Sequence, residues 1–150
     1  MTEPLQDQTG ERLKLDNQLC FAFYVCSKEI IKKYRPILTP LGLTYTGYIT
    51  LLALWEKDNI PVSKLGERLY LDSGTLTPLL KKLESQGYIK RTRSDKDERQ
   101  VFVSLTEAGH ELKKQAADVP EQLAKSYGMN ECQATEMMDN LHALIKRAVN

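Results

Sequence analysis

Three cysteines, Cys20, Cys26 and Cys132, are the side chains of this 150-residue chain best suited to covalent chemistry. None is paired as Cys-x-x-Cys or grouped with the two histidines at metal-ligand spacing, so neither a metal nor another cofactor is expected. A lone thiol in a reducing compartment matters by reactivity. A thiolate reduces a peroxide and is left as a sulfenic acid, which calls for an ionised sulfur and hydroxyl donors to hold the anion. Cys20 falls near the start of an expected helix, where the backbone dipole favours an anion. Tyr24, four residues on, shares its face. A plainer role is also open, in which Cys20 packs a helix surface and the tyrosines fill an amphipathic interface; residue types alone favour it. Cys26 lies six positions from Cys20, about 120° round a helix and some 9 Å along it, so the two cannot bond within one helix. Cys26 is expected in the core. Cys132 stands two residues after Asn130, an expected helix N-cap, where a thiol is easily deprotonated.

The elements that must position these groups are set by periodicity and caps. Leu15, Leu19, Phe23, Cys26 and Ile30 recur at helical spacing, predicting a long helix over 15–34 that Arg35-Pro36 ends. Thr44 can cap a second helix reaching Trp55. Ser63 or its neighbour opens a third with Leu65 and Leu69 inward, and a fourth runs over about 73–86 on a stripe of Leu76, Leu79, Leu80 and Leu83, closed by Gly87. Residues 88–93 and 100–105 alternate as two strands joined by Ser94-Asp95-Lys96-Asp97-Glu98-Arg99. Thr106 caps a fifth helix that Pro120 is expected to kink, and Gly128-Met129-Asn130 precedes a sixth with Met137, Leu141, Leu144, Ile145 and Ala148. The fold class is therefore mainly α with a small β-hairpin wing. One domain, 1–150, is expected, with a winged helix-turn-helix over 60–105. The terminal helices, 15–35 and 106–150, carry more apolar surface than one such core covers, which suits dimerisation with a second copy.

That order of elements lets a helix enter a DNA major groove while a basic hairpin meets the neighbouring backbone. On the fourth helix Ser73, Gly74, Thr75 and Thr77 are small enough to approach base edges, and Lys81 and Lys82 come later, where phosphates would lie. Pro78 removes one backbone hydrogen bond unless the helix starts late. The hairpin adds Lys90, Arg91, Arg93, Lys96 and Arg99, the last at a tip that can enter a minor groove. Residues 61–99 hold nine basic and six acidic side chains, against seven of each in 1–60 and five and seven in 100–150. Positive charge thus gathers on the reader. The alternative is an ordinary solvated basic hairpin. Residues 1–17 are polar and mixed in charge, without a signal-peptide pattern, and the charge-free run over 36–55 is broken by prolines and glycines, so a cytoplasmic protein without a membrane span is expected.

Leu71-Asp72-Ser73-Gly74-Thr75-Leu76-Thr77-Pro78-Leu79-Leu80-Lys81-Lys82-Leu83-Glu84, then Asp97-Glu98-Arg99 and Ser104-Leu105-Thr106-Glu107-Ala108-Gly109, resemble the MarR family of dimeric winged-helix regulators. Asn17-Gln18-Leu19-Cys20-Phe21 with Tyr24, Tyr34 and Tyr45 is similar to its OhrR branch, which senses organic hydroperoxides through one reactive cysteine. The resemblance implies Cys20 as the sensing thiol, with the hydroxyls of Tyr24, Tyr34 and Tyr45 around it, the last two from a partner subunit. It implies that Asp97 braces the wing and Arg99 contacts the minor groove. Some members of the branch close an intersubunit disulfide with a second, C-terminal cysteine. Cys132 lies in the right region, although a plain helix-start residue fits equally.

The expectation is a homodimeric repressor on a pseudo-palindromic operator in double-stranded DNA, released when peroxide oxidises Cys20. A low-molecular-weight thiol or Cys132 could complete that oxidation. Two rivals stand beside it: a MarR-type regulator released by a small aromatic ligand, and, more remotely, a thiol peroxidase.

Overall fold

In a computed structural model that describes residues 8–149, a short helix α1 (Gln8–Arg12) and a 3-10 turn (Leu15–Asn17) lead into the long helix α2 (Leu19–Leu38). The expectations for residues 1–7 and Asn150 lie outside the described residues. A second 3-10 turn (Thr39–Leu41) precedes α3 (Tyr45–Glu56), β1 (Ile60–Pro61), α4 (Val62–Leu69) and α5 (Ser73–Ser85). Then come β2 (Ile89–Arg93), β3 (Val101–Leu105), α6 (Glu107–Gln115), α7 (Val119–Tyr127) and α8 (Glu131–Ala148). The three strands form an antiparallel sheet in the order β1-β3-β2, with Arg91 opposite Val103 and Ile60 on the far side of Val103.

Caps explain where most helices start. Thr44, Asp72, Thr106 and Asn130 each accept a backbone N–H three residues on, from Gly47, Thr75, Gly109 and Gln133. At Asn130 the Gln133 side chain returns a bond to the cap, satisfying two otherwise orphaned donors. Gly87, just past α5, stands at φ +81°, the left-handed conformation that lets the chain reverse into β2. The core gathers the inner faces: Leu38 from α2, Leu51 and Leu54 from α3, Leu65 from α4, Leu76, Leu80 and Leu83 from α5, and Ile89, Val103, Leu112 and Val119 beyond.

Several sequence expectations are corrected. The first helix does not begin at Leu15. Gln18 is extended there, and its amide donates to the carbonyls of Arg12 and Lys14, holding the 3-10 turn apart from α2. Nor does Pro36 end it. A proline costs a helix the bond to the carbonyl four residues back, here Lys32, and both residues are exposed, so that carbonyl faces water while Leu38 is drawn into the core. The fifth helix is broken rather than kinked: Ala116–Asp118 separate α6 from α7, and Pro120 stands in the first turn of α7, where its missing N–H costs nothing. Cys26 is exposed rather than core, because α2 buries only Leu38 within its own chain. The strand β1, of two residues, has no counterpart among the sequence expectations. Pro78 does lie inside α5, with its orphaned partner Gly74 exposed to solvent.

Candidate nucleic-acid interface and thiol site

The leucine stripe of α5 turns inward, which leaves its other face to solvent. Ser73, Gly74, Thr75, Thr77, Lys81 and Lys82 are all exposed on it. Asp72 caps the helix through Thr75 N at 2.8 Å and so presents Ser73 and Gly74 at its tip. The turn before it contains Tyr70, 66% exposed and held at φ +54°, a conformation normally left to glycine. Nothing in residue spacing signals that conformation.

The wing hairpin is closed by Ser94 N donating to Gln100 O at 2.9 Å, and Ser94 Oγ accepts from the backbone of Lys96. Asp97 Oδ1 accepts from Arg99 N at 3.0 Å, which sets the backbone that carries the Arg99 side chain. Lys90, Arg93, Lys96 and Arg99 are exposed. Arg91 is not alongside them: it forks onto Glu84 of α5, with Nε and Nη2 both donating to Oε2 at 2.9 and 2.6 Å. That guanidinium holds the Glu84 carboxyl below the usual carboxylate range.

The base of the sheet is pinned by bonds that sequence reasoning missed. Asp58 Oδ1 accepts from Leu105 N at 2.8 Å, its other oxygen lies 3.5 Å from His110 Nε2, and Trp55 Nε1 donates to Gly109 O. These partners stand roughly fifty positions apart, beyond any local spacing rule.

Cys20 is the second residue of α2, exposed, and one helical turn from Tyr24. Tyr24 is 60% exposed; its ring stacks near Phe21 and carries Lys28 Nζ at 5.7 Å. Tyr34 lies fourteen residues from Cys20 on the same helix, about 21 Å along it, so a single chain does not bring the two together. Tyr34 instead packs against Tyr45 and Tyr48, with ring centroids 4.8 and 5.8 Å away. Burial first, then the neighbouring phenols, push the Tyr34 hydroxyl up to about 12. Tyr127 joins this cluster with a buried hydroxyl that has no hydrogen-bond partner among the described residues, and Lys33 Nζ sits 4.3 Å above its ring. Cys132 is exposed in the first turn of α8. Among the described residues, no group of His, Cys, Asp and Glu could hold a metal ion.

The Tyr34 shift has a sign that can be measured. A phenol whose folded pKa exceeds its unfolded value of about 10 stabilises the fold fully below that value and loses the contribution as pH rises toward about 12. Replacing Tyr34 by Phe is therefore expected to flatten the alkaline fall in the urea midpoint across that window. A fall as steep as in the native protein would show that the hydroxyl is not desolvated.

This arrangement of helices and wing has counterparts among known proteins. The family described as "Transcriptional regulator SarA/Rot" matches residues 27–116, more than half of the chain and all of the helix-turn-helix and wing. The chain belongs to the SarA/Rot family of MarR-like winged-helix transcriptional regulators. The chain is 54% identical over 110 residues to the "Organic hydroperoxide resistance transcriptional regulator" of Bacillus subtilis, covering 73% of this chain and 75% of that one. It is 47% identical over 137 residues to the "HTH-type transcriptional regulator SarZ" of Staphylococcus aureus, covering 91% and 93%. Among solved structures it resembles reduced AbfR bound to DNA, with a TM-score of 0.74 and 34% identity over 95% of this chain and 99% of that one. AbfR, from Staphylococcus epidermidis, has also been solved in a disulfide-formed state. The Bacillus and Staphylococcus aureus relatives are both named as transcriptional regulators. No single helix among the described residues is long and apolar enough to cross a membrane.

Proposed function

We propose that the chain is a cytoplasmic repressor that binds a pseudo-palindromic DNA operator as a homodimer and releases it when an organic hydroperoxide oxidises Cys20. The observation that carries this reading is the division of α2: an exposed thiol and Tyr24 at its first turns, and the Tyr34–Tyr45 pair at its far end. Two copies of α2 packed antiparallel across a two-fold axis would bring each thiol to the other copy's phenols. Exposed apolar side chains on α2 and α8, among them Leu19, Phe23, Ile31, Met137, Met138 and Ile145, supply the surface for such packing. Hydroperoxide-named and disulfide-forming relatives support the same chemistry.

In the proposed reaction the Cys20 thiolate attacks the outer oxygen of the hydroperoxide, the O–O bond breaks, and the alkoxide takes a proton and leaves as the alcohol. The sulfur, oxidised by two electrons, becomes a sulfenic acid. The Cys132 thiol of the partner, or a small free thiol, then attacks that sulfur and expels water, forming a disulfide. At the interface Ser73, Gly74, Thr75 and Thr77 read base edges, while Lys81, Lys82, Arg93, Lys96 and Arg99 neutralise phosphates or enter the minor groove, with Asp97 fixing the wing tip.

The test is an operator titration of reduced and hydroperoxide-treated protein, with mass spectrometry locating the oxidised sulfur. Release accompanied by oxygen or a disulfide on Cys20 supports the reading. Release by a small aromatic ligand without any effect of peroxide selects a ligand-triggered regulator instead. If the bridge forms, non-reducing gels show a covalent dimer that a Cys132→Ser protein loses; a dimer that persists in that variant excludes Cys132.

A further inference from the structure

The basic side chains of the wing do not all face outward. Arg91 is only 27% exposed and Glu84 only 35%, and three hydrogen bonds join them: the two from the guanidinium, and one from Arg91 N to Glu84 Oε1 at 3.0 Å. Glu84 stands in the last turn of the recognition helix α5, and Arg91 is the middle residue of β2. Among the described residues β2 is an edge of the sheet, paired with β3 alone, so Glu84 also satisfies an edge N–H that would otherwise face solvent. A guanidinium already forked onto a carboxylate is a poor phosphate contact, because its planar donors are committed to that partner.

We infer that Glu84 and Arg91 are positioning residues that fix the wing at a set angle to the recognition helix, so that Arg99 at its tip reaches the DNA. This rests on the DNA-binding reading above and reassigns Arg91 from contact to brace. The lever is long. Arg99 is four positions from Val103, which lies opposite Arg91, so at about 3.3 Å per residue it sits roughly 13 Å beyond Arg91, and a tilt of about 10° at the base moves it by about 2 Å, enough to break a hydrogen bond. The short turn Gln86-Gly87-Tyr88 joins helix to strand with Gly87 at φ +81°, and the ion pair adds a directional polar link across that corner beside the apolar packing of Leu83 and Ile89 in the core.

The experiment is operator titration over a range of salt concentrations for the native protein, Glu84→Ala, Arg91→Lys, Arg99→Ala and the Glu84→Ala/Arg99→Ala double, each checked for an unchanged far-ultraviolet spectrum. The brace predicts that Glu84→Ala binds about ten-fold more weakly, the worth of one charge-assisted contact, with the log-log salt slope reduced to that of Arg99→Ala. It predicts that Arg91→Lys, which keeps the charge and loses the fork, is also weaker. It predicts that the double variant binds no worse than Arg99→Ala alone, since the brace acts only through the tip; a general loss of stability would not produce that coincidence. The inference is overturned if Glu84→Ala binds as tightly as the native protein or tighter, if Arg91→Lys is indistinguishable from native, or if the Glu84 and Arg99 losses multiply. A native protein that binds no duplex at all would instead overturn the DNA reading itself.

Discussion

A Cys20→Ser protein is expected to stay on its operator at hydroperoxide concentrations that release the native chain. Serine keeps the size of the side chain in the exposed first turn of α2, so the reduced fold and its DNA affinity should be unchanged. Its hydroxyl neither ionises near neutral pH nor accepts an oxygen from a peroxide, so the trigger is gone. Moving an equilibrium from mostly bound to mostly free needs a difference of about 10⁴-fold in binding, about 5.5 kcal/mol. The ratio of treated to untreated affinity should fall from that order to about one. Cys26, a turn and a half further along α2, is the internal control: Cys26→Ser should respond as the native protein does. Dissociation of Cys20→Ser by peroxide would remove the sensor assignment and leave a regulator with another trigger.

The second large effect concerns the fold. Gly109 is buried in the first turn of α6, and a methyl group there would overlap the carbonyl oxygen of Tyr88, with the Tyr88 carbonyl carbon at 3.2 Å and Leu105 Cδ2 at 3.1 Å. Neither neighbour can give way cheaply. The same Tyr88 oxygen accepts from Thr106 N, and the Gly109 carbonyl holds the Trp55 indole, so moving α6 off β2 breaks both. Gly109→Ala should destabilise by about 3 kcal/mol, the upper part of the usual range for overpacking, lowering the melting temperature by roughly 10 °C in a chain of this size. A melt within about 2 °C of the native protein would mean that α6 and the wing are not locked together as described.

Much of this architecture could be read directly because it is written in local rules. Thr44, Asp72, Thr106 and Asn130 announce their helices, since each is a residue type whose side-chain oxygen can reach an N–H three positions ahead. The alternation of Val101, Val103 and Leu105 announces the wing. The illegible part depends on pairs that no period connects. Asp58 and Leu105, or Trp55 and Gly109, meet only once the chain has folded back on itself, and two-residue β1 is too short to show any alternation. Pro36 misled because the rule against proline in a helix interior does not say whether the orphaned carbonyl will face water, as it does here. Arg91 is the instructive case. Seven positions from Glu84, across a helix, a turn and a strand, it looks from composition like one more cation on a basic hairpin, and only the folded corner shows where its charge is spent. Cys26 misled for the opposite reason, since an apolar stripe marks a face that must be covered without saying by which chain.

The eighteen residues of α8 start from a sound N-cap and yet none is fully buried among the described residues, Leu141 being half-buried. In a protein most of a helix's stability comes from packing an apolar face rather than from propensity and caps. The C-terminal arm is therefore expected to firm up against whatever covers it, whereas the half that carries the recognition helix is packed within its own core. In the proposed dimer, two stretches of one polypeptide would thus answer to different conditions: one to its internal packing, the other to how crowded the solution is with its own kind.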